Sequence, residues 1–261
     1  MFKKIVLILL AFTFLLSGCG KKTEELIVDD LQIIKERGKL IVGVRDDTKP
    51  FGYRDKDGNL VGFDIDLAKT IAGKILDDET KIDFVVLNAD DRIGALNSKR
   101  VDILVATMSI TQQRLRVVDF SESYYVAGQA VMVQAKSPYS TFNELDDKRL
   151  IVVYGTTAEK SLRDVYPTAN ILAYKTYPEA FMALKNGDAD ALVADDVVLM
   201  GYALDDKSVK LLPKRYSREP YGVAFRQGVE SVDLQALVNE LINAMRSSGS
   251  LQRIQERNNI L

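Results

Sequence analysis

Thr107, Ser109, Thr111 and Arg114 fall together in the stretch Ala106-Thr-Met-Ser-Ile-Thr-Gln-Gln-Arg114. Hydroxyls on a turn beside a guanidinium can hold a small carboxylate, because the planar fork of Arg donates two parallel hydrogen bonds. Thr111 suits the N-cap of a helix starting here, and a helix N-terminus adds partial positive charge. An ordinary surface turn with a solvated Arg gives the same pattern, so the remainder of the chain must decide.

The apolar run Val101 to Val105 ahead of this stretch reads as a buried strand that delivers it. Other strands of this kind are Lys39 to Val44 and Ile82 to Leu87, with Gly222 to Gln227 as a returning strand. Between them lie helical patterns. Leu31 to Arg37 ends at Gly38, and Leu67, Ile71 and Ile75 share one face of a helix that Asp64 can cap. A short helix over Asp90 to Leu96 carries Arg92, and two more follow near the end, over Val232 to Met245 and Leu251 to Arg257. Strand and helix alternate, which predicts an α/β fold with mostly parallel sheets. Tyr53 to Asn59 reads as a hairpin turn; its Asp55, Asp57 and Asn59 lack the glycine register and terminal Glu of a calcium loop.

The second half repeats the first. Lys39-Leu-Ile-Val-Gly-Val-Arg45 matches Arg149-Leu-Ile-Val-Val-Tyr-Gly155, and Leu96 to Ala106 matches Leu184 to Ala194. Two lobes of similar build follow. Lobe 1 takes residues 31–123 and 222–261, lobe 2 residues 129–216, and the crossings fall at 124–128 and 217–221. In open α/β sheets ligands gather at the carboxyl ends of the strands. There the chain offers Arg45, Arg92, Thr107, Ser109, the helix start Gly155-Thr-Thr157, and Asp195. This set suits a zwitterion with an additional negative group.

Composition removes several chemistries. The 261 residues, 47% hydrophobic and 28% charged, describe a globular protein long enough for two lobes. His is absent, which excludes a His base or a His metal site, and a lone Cys excludes an intramolecular disulfide. No metal or cofactor is expected. The net charge of −2 gives no reason to expect a nucleic-acid partner. Met1-Phe-Lys-Lys4, the apolar run Ile5 to Leu16 and Leu16-Ser-Gly-Cys19 have the order of an export signal, residues 1–18. The last four resemble a bacterial lipobox, which implies lipidation of Cys19, a tether over residues 19–30, and attachment to a bacterial membrane at the periplasmic face or cell surface.

The motifs Gly62-Phe-Asp-Ile-Asp-Leu-Ala68, Ala106 to Arg114, Val118-Asp-Phe-Ser121, Tyr124-Tyr125, Gly155-Thr-Thr157, Asp190-Ala-Leu-Val-Ala-Asp195 and Tyr221-Gly-Val-Ala-Phe225 span nearly all of the exported chain. Together they resemble the solute-binding proteins of bacterial ABC importers, in the polar amino-acid group. One departure is Gln112-Gln113, where that family usually carries Pro-Glu or Asp-Glu.

The resemblance implies a two-lobed clamp of the periplasmic-binding-protein type (type II), a monomer without enzymatic activity, closing on one free amino acid and docking permease subunits. It assigns Arg114, Ser109 and Thr157 to the α-carboxylate, and Asp195 to the α-ammonium with help from Thr107 and Ser109. It is similar at Arg45 and Arg92 to binders of aspartate and glutamate, so an acidic ligand is expected, with glutamine or another polar amino acid as the alternative. Pairing of both Arg with Asp46, Asp47 or Asp91 would leave them only shaping the rim. Phe63 is expected beside the ligand stem, or else in the core. A dehydratase on the same scaffold and a ligand-sensing receptor or adhesin are the rivals from other classes. The cleft loops supply only Asp195 as an acid, which disfavours the enzyme.

Overall fold

The computed structural model describes residues 29–165 and 168–260. Residues 1–18, expected as an export signal, and Cys19 lie outside the described residues. Asp29, the first described residue, falls inside the expected tether. Its carboxylate caps helix α1 (Asp30–Arg37), and Asp30 is buried against Arg226 and Ser231. Gly38 ends α1 in the left-handed region, as its lack of Cβ allows.

Strand β1 (Leu40–Val44) is apolar throughout because both its faces are covered. A small ribbon of β2 (Asp47–Thr48), β3 (Gly52–Arg54) and β4 (Leu60–Val61) follows, turning at Asp55. Helix α2 (Phe63–Leu76), strand β5 (Ile82–Val86), helix α3 (Arg92–Asn97) and strand β6 (Ile103–Leu104) come next. The expected helix at Thr111 is a single 3-10 turn, Arg114–Arg116, because β7 (Val118–Phe120) begins at once. Thr111 still accepts the Arg114 N–H on its hydroxyl at 3.2 Å. Crossing strand β8 (Tyr125–Ala127) leads to β9 (Gln129–Gln134), β10 (Arg149–Val153), α4 (Thr157–Val165) and β11 (Asn170–Tyr174). Then come α5 (Tyr177–Asn186), β12 (Ala191–Asp195), α6 (Asp196–Asp205) and β13 (Val209–Leu211). Strand β14 (Glu219–Tyr221) crosses back, and β15 (Ala224–Arg226), α7 (Val232–Ser247) and α8 (Ser250–Arg257) complete the chain.

The first sheet has the order β5-β1-β6-β15-β7 and the second β11-β10-β12-β9-β13. The orders correspond strand for strand, so the repeat seen in the sequence is a repeat of topology. The sheets are mixed rather than mostly parallel. In each, two pairings are parallel and two antiparallel. The reason is connectivity: β9 and β15 arrive from the crossing strands β8 and β14, not through a crossover helix, so they run against their neighbours. The crossing strands pair with each other as an antiparallel ribbon between the sheets.

Helices cover both faces of each sheet. On the first, α2 lays Leu67, Ala68, Ile71 and Ile75 into the core, and α3 packs Ala95 and Leu96 on the other side. On the second, α4 buries Ala158 and Leu162, while α5 and α6 bury Phe181, Leu184, Val197 and Val198 opposite. One apolar core runs from sheet to sheet beneath the ribbon, through Phe51, Phe63, Tyr124 and Tyr221. Among the described residues no helix is long and apolar enough to cross a membrane.

Candidate functional site

The carboxyl ends of both sheets face one pocket. It is lined by Arg45, Ala89, Arg92, Thr107, Ser109 and Arg114 from lobe 1 and by Thr156, Thr157, Tyr177 and Asp195 from lobe 2. Seven of the eight side chains picked from the sequence therefore meet. Phe63 does not. As the first residue of α2 it is fully buried, packed edge-on to Phe51 at 5.5 Å and stacked on Tyr124 at 5.6 Å, so its place is the core under the ribbon.

Arg114 is held by two carbonyls. Its Nη1 donates to Ser109 O at 2.8 Å and its Nη2 to Gly155 O, across the cleft, at 3.0 Å. The Ser109 backbone is itself fixed, since it bridges to Tyr221 and the next N–H, Ile110, donates to Pro220 O at 2.7 Å. Arg92 is 3% exposed; its Nε reaches Ala89 O (3.1 Å) and its Nη1 reaches Ala106 O (2.5 Å). Burial, then the cations Arg114 and Arg45, push its pKa down to about 9. It stays charged, because a guanidinium keeps its proton in proteins.

Three carboxylates answer them. Asp195 ends β12, with Tyr221 OH donating to it at 2.5 Å, and burial lifts its pKa to about 7. Asp47 is a bidentate partner of Arg45: Nε to Oδ1 at 2.8 Å, Nη2 to Oδ2 at 2.6 Å. Asp64, read from the sequence as a helix cap, is fully buried at the second position of α2 and caps nothing. It accepts the Thr107 N–H at 2.8 Å and the Tyr124 hydroxyl at 2.9 Å. Thr107 sits at φ 47°, a left-handed conformation that a β-branched residue adopts only when held there. Asp64 supplies that hold. Burial raises its pKa to about 7, although these hydrogen bonds and the Arg92 charge pull it down.

The two lobes touch around the pocket. Gly155 stands at φ 74°, and a Cβ there would lie 2.5 Å from Asp90 N. Tyr177 N–H donates to Asp47 at 3.1 Å, and the Lys49–Asp205 ion pair joins the lobes at the rim. The Tyr177 ring lies 5.6 Å from the Arg45 guanidinium carbon.

Sequence reasoning missed Asp64 and Tyr177 as parts of the site, and named Asp47 only among three acids that could pair with Arg45 and Arg92; the Arg45 half of that alternative is what the structure shows. Tyr177 had a signal: Thr176 and Glu179 form a capping box that starts a helix just after β11, the lobe 2 counterpart of the place Arg92 takes after β5. Asp47 could not be told from Asp46, which turns away to Arg54.

A dry cleft between two lobes, with a cation and a carboxylate at its centre and hydroxyls between, defines a clamp for a small zwitterion. Residues 40–259 match the model of the bacterial extracellular solute-binding proteins, family 3. The chain is 36% identical to the ABC transporter glutamine-binding protein GlnH of Bacillus subtilis (strain 168), over 97% of this chain and 95% of that one. It is 41% identical to the glutamine-binding protein of Geobacillus stearothermophilus, over 74% of each. Among solved structures it is similar to an ancestral arginine-binding protein bound to glutamine, with 36% identity and a TM-score of 0.80 over 86% of this chain and 99% of that one. The chain belongs to the bacterial extracellular solute-binding proteins, family 3.

Proposed function

We propose that the protein is the substrate-binding component of an amino-acid ABC importer and that its ligand is glutamine rather than an acidic amino acid. The observation that carries the choice is the bidentate Arg45–Asp47 pair. The sequence reading counted Arg45 and Arg92 as two spare cations. Asp47 on Arg45 matches one of them, and Arg92 is turned to the Ala89 and Ala106 carbonyls. A second carboxylate on the ligand would meet an Arg45 whose charge is already matched, whereas a side-chain amide adds no charge. The two relatives that bear the glutamine-binding name support the same choice.

In this reading Arg114, Ser109 and Thr157 receive the α-carboxylate, and Asp195 with the Thr107 turn receives the α-ammonium. Arg45 Nη1, buried without a hydrogen-bond partner among the described residues, donates to the side-chain carbonyl. The β8–β14 ribbon is the hinge, and the protein captures and delivers its ligand without turning it over. Export by residues 1–18 and anchoring through a lipidated Cys19 complete the proposal; mass spectrometry of membrane-extracted protein tests the anchor.

The test of the ligand is a thermal-shift screen of the amino acids followed by calorimetry. Glutamine should raise Tm and bind with a Kd near the micromolar range, about −8 kcal/mol. Tighter binding of glutamate than of glutamine would return the reading to an acidic ligand.

A further inference from the structure

We propose that Asp47 is the positioning residue that makes the cleft selective for an uncharged amide, and that it ties this selection to closure of the lobes. The inference rests on the glutamine reading and deepens it.

The Arg45 side chain, at the end of β1, is 2% exposed, and that of Asp47, in β2, is 10% exposed. Their contact uses Nε and Nη2, so the guanidinium is fixed in one plane with only Nη1 unengaged. The Tyr177 ring packs over the guanidinium. A ligand side chain entering this part of the pocket meets one N–H donor whose charge is already matched. A neutral carbonyl accepts from such a donor. A carboxylate gains the same hydrogen bond but also feels the Asp47 charge one guanidinium away, and like charges in a dry site weigh heavily. Asp47 acts through Arg45.

The same carboxylate faces lobe 2. Its Oδ2 accepts the N–H of Tyr177, the first residue of α5, where the helix dipole also favours an anion. The Asp47 backbone carbonyl accepts the Tyr202 hydroxyl of α6 at 3.2 Å. One residue thus balances the side-chain donor within lobe 1 and receives two groups of lobe 2 as the cleft shuts. A ligand that draws Arg45 away from Asp47 leaves Asp47 poorly set for Tyr177. A ligand that accepts from Nη1 alone leaves both contacts intact.

The test compares Kd values for glutamine and glutamate by calorimetry on the exported chain and on Asp47→Asn, Asp47→Ala and Lys49→Ala. Removing the Asp47 charge leaves the Arg45 cation unmatched, so the ratio of glutamine to glutamate affinity should fall at least tenfold in both Asp47 variants. Lys49→Ala removes a lobe-to-lobe ion pair without touching the pocket and should weaken both ligands by the same factor. An unchanged ratio in the Asp47 variants overturns the inference, and so does a Lys49→Ala ratio that moves as theirs does. Loss of both ligands in the Asp47 variants also counts against it, because Arg114 and Asp195 are untouched. A wild-type preference for glutamate would instead defeat the proposed function, before any variant is measured.

Discussion

Asp64 offers the sharpest quantitative check. It is fully buried, and its pKa is raised from 3.8 to about 7, chiefly by burial. In the unfolded chain it titrates as an ordinary carboxyl. Between those two values the unfolded state has released a proton that the folded state still holds. Stability therefore falls as pH rises through this window and levels off above about pH 7. At 1.36 kcal/mol per unit, the interval from pH 5 to pH 7 corresponds to a loss on the order of 3 kcal/mol. Asp64→Asn removes the titration. Its amide keeps one acceptor for Thr107 N–H or Tyr124 OH and sets a donor against the other, so the variant starts less stable by about 1–3 kcal/mol. The expected signature is in the slope. Urea unfolding at pH 5, 6, 7 and 8 should show the variant gaining on the wild type by about 3 kcal/mol across the series. Curves parallel to within about 0.5 kcal/mol would refute the assignment of a buried, largely protonated Asp64 at pH 5.

Three further outcomes follow from the geometry. Asp195→Asn removes the buried carboxylate that Tyr221 orients, and should weaken the amino acid about 30-fold or more in calorimetry, as loss of one member of a buried charge pair does. Gly155→Ala sets a Cβ 2.5 Å from Asp90 N at a left-handed φ, so ligand should no longer contract the radius of gyration measured by small-angle X-ray scattering. Phe63→Ala should cost about 3–5 kcal/mol in urea unfolding while leaving the ratio of glutamine to glutamate affinity unchanged; a shift in that ratio would return Phe63 to the pocket.

The lobes and most of the pocket were legible because both follow from local rules. Apolar runs marked the strands, and loops at their carboxyl ends marked Arg45, Arg92, Thr107, Ser109, Arg114, Thr157 and Asp195. What was not legible depended on direction. Phe63 opens α2, and whether it faces the cleft or the Phe51 and Tyr124 rings is decided by how α2 meets the ribbon. Asp46 and Asp47 are adjacent acids near Arg45, yet the bend between β1 and β2 sends Asp46 to Arg54 and only Asp47 to Arg45. The antiparallel pairing of β9 and β15 was hidden for a related reason: their partners lie across a chain crossing that no local pattern records.

Asp195 explains why ligand and closure go together. With the lobes shut it is nearly out of water and its pKa is lifted from 3.8 to about 7, mainly by burial. Holding it ionised there costs on the order of 4 kcal/mol relative to a solvated carboxyl. Arg114 meets the same burial, which pulls its pKa down. Each charge eases the burial of the other, Asp195 being held first by the Tyr221 hydroxyl, and in the proposed reading a bound zwitterion adds to this by setting an ammonium at one and a carboxylate at the other. The backbone part of any amino acid can do this, so it favours closure without choosing among ligands. In the proposed reading the choice falls to the Arg45–Asp47 pair, where the Asp47 charge opposes a second carboxylate. Because Asp47 also receives Tyr177 and Tyr202 from lobe 2, on this proposal a mismatched side chain is rejected at the contact that shuts the clamp.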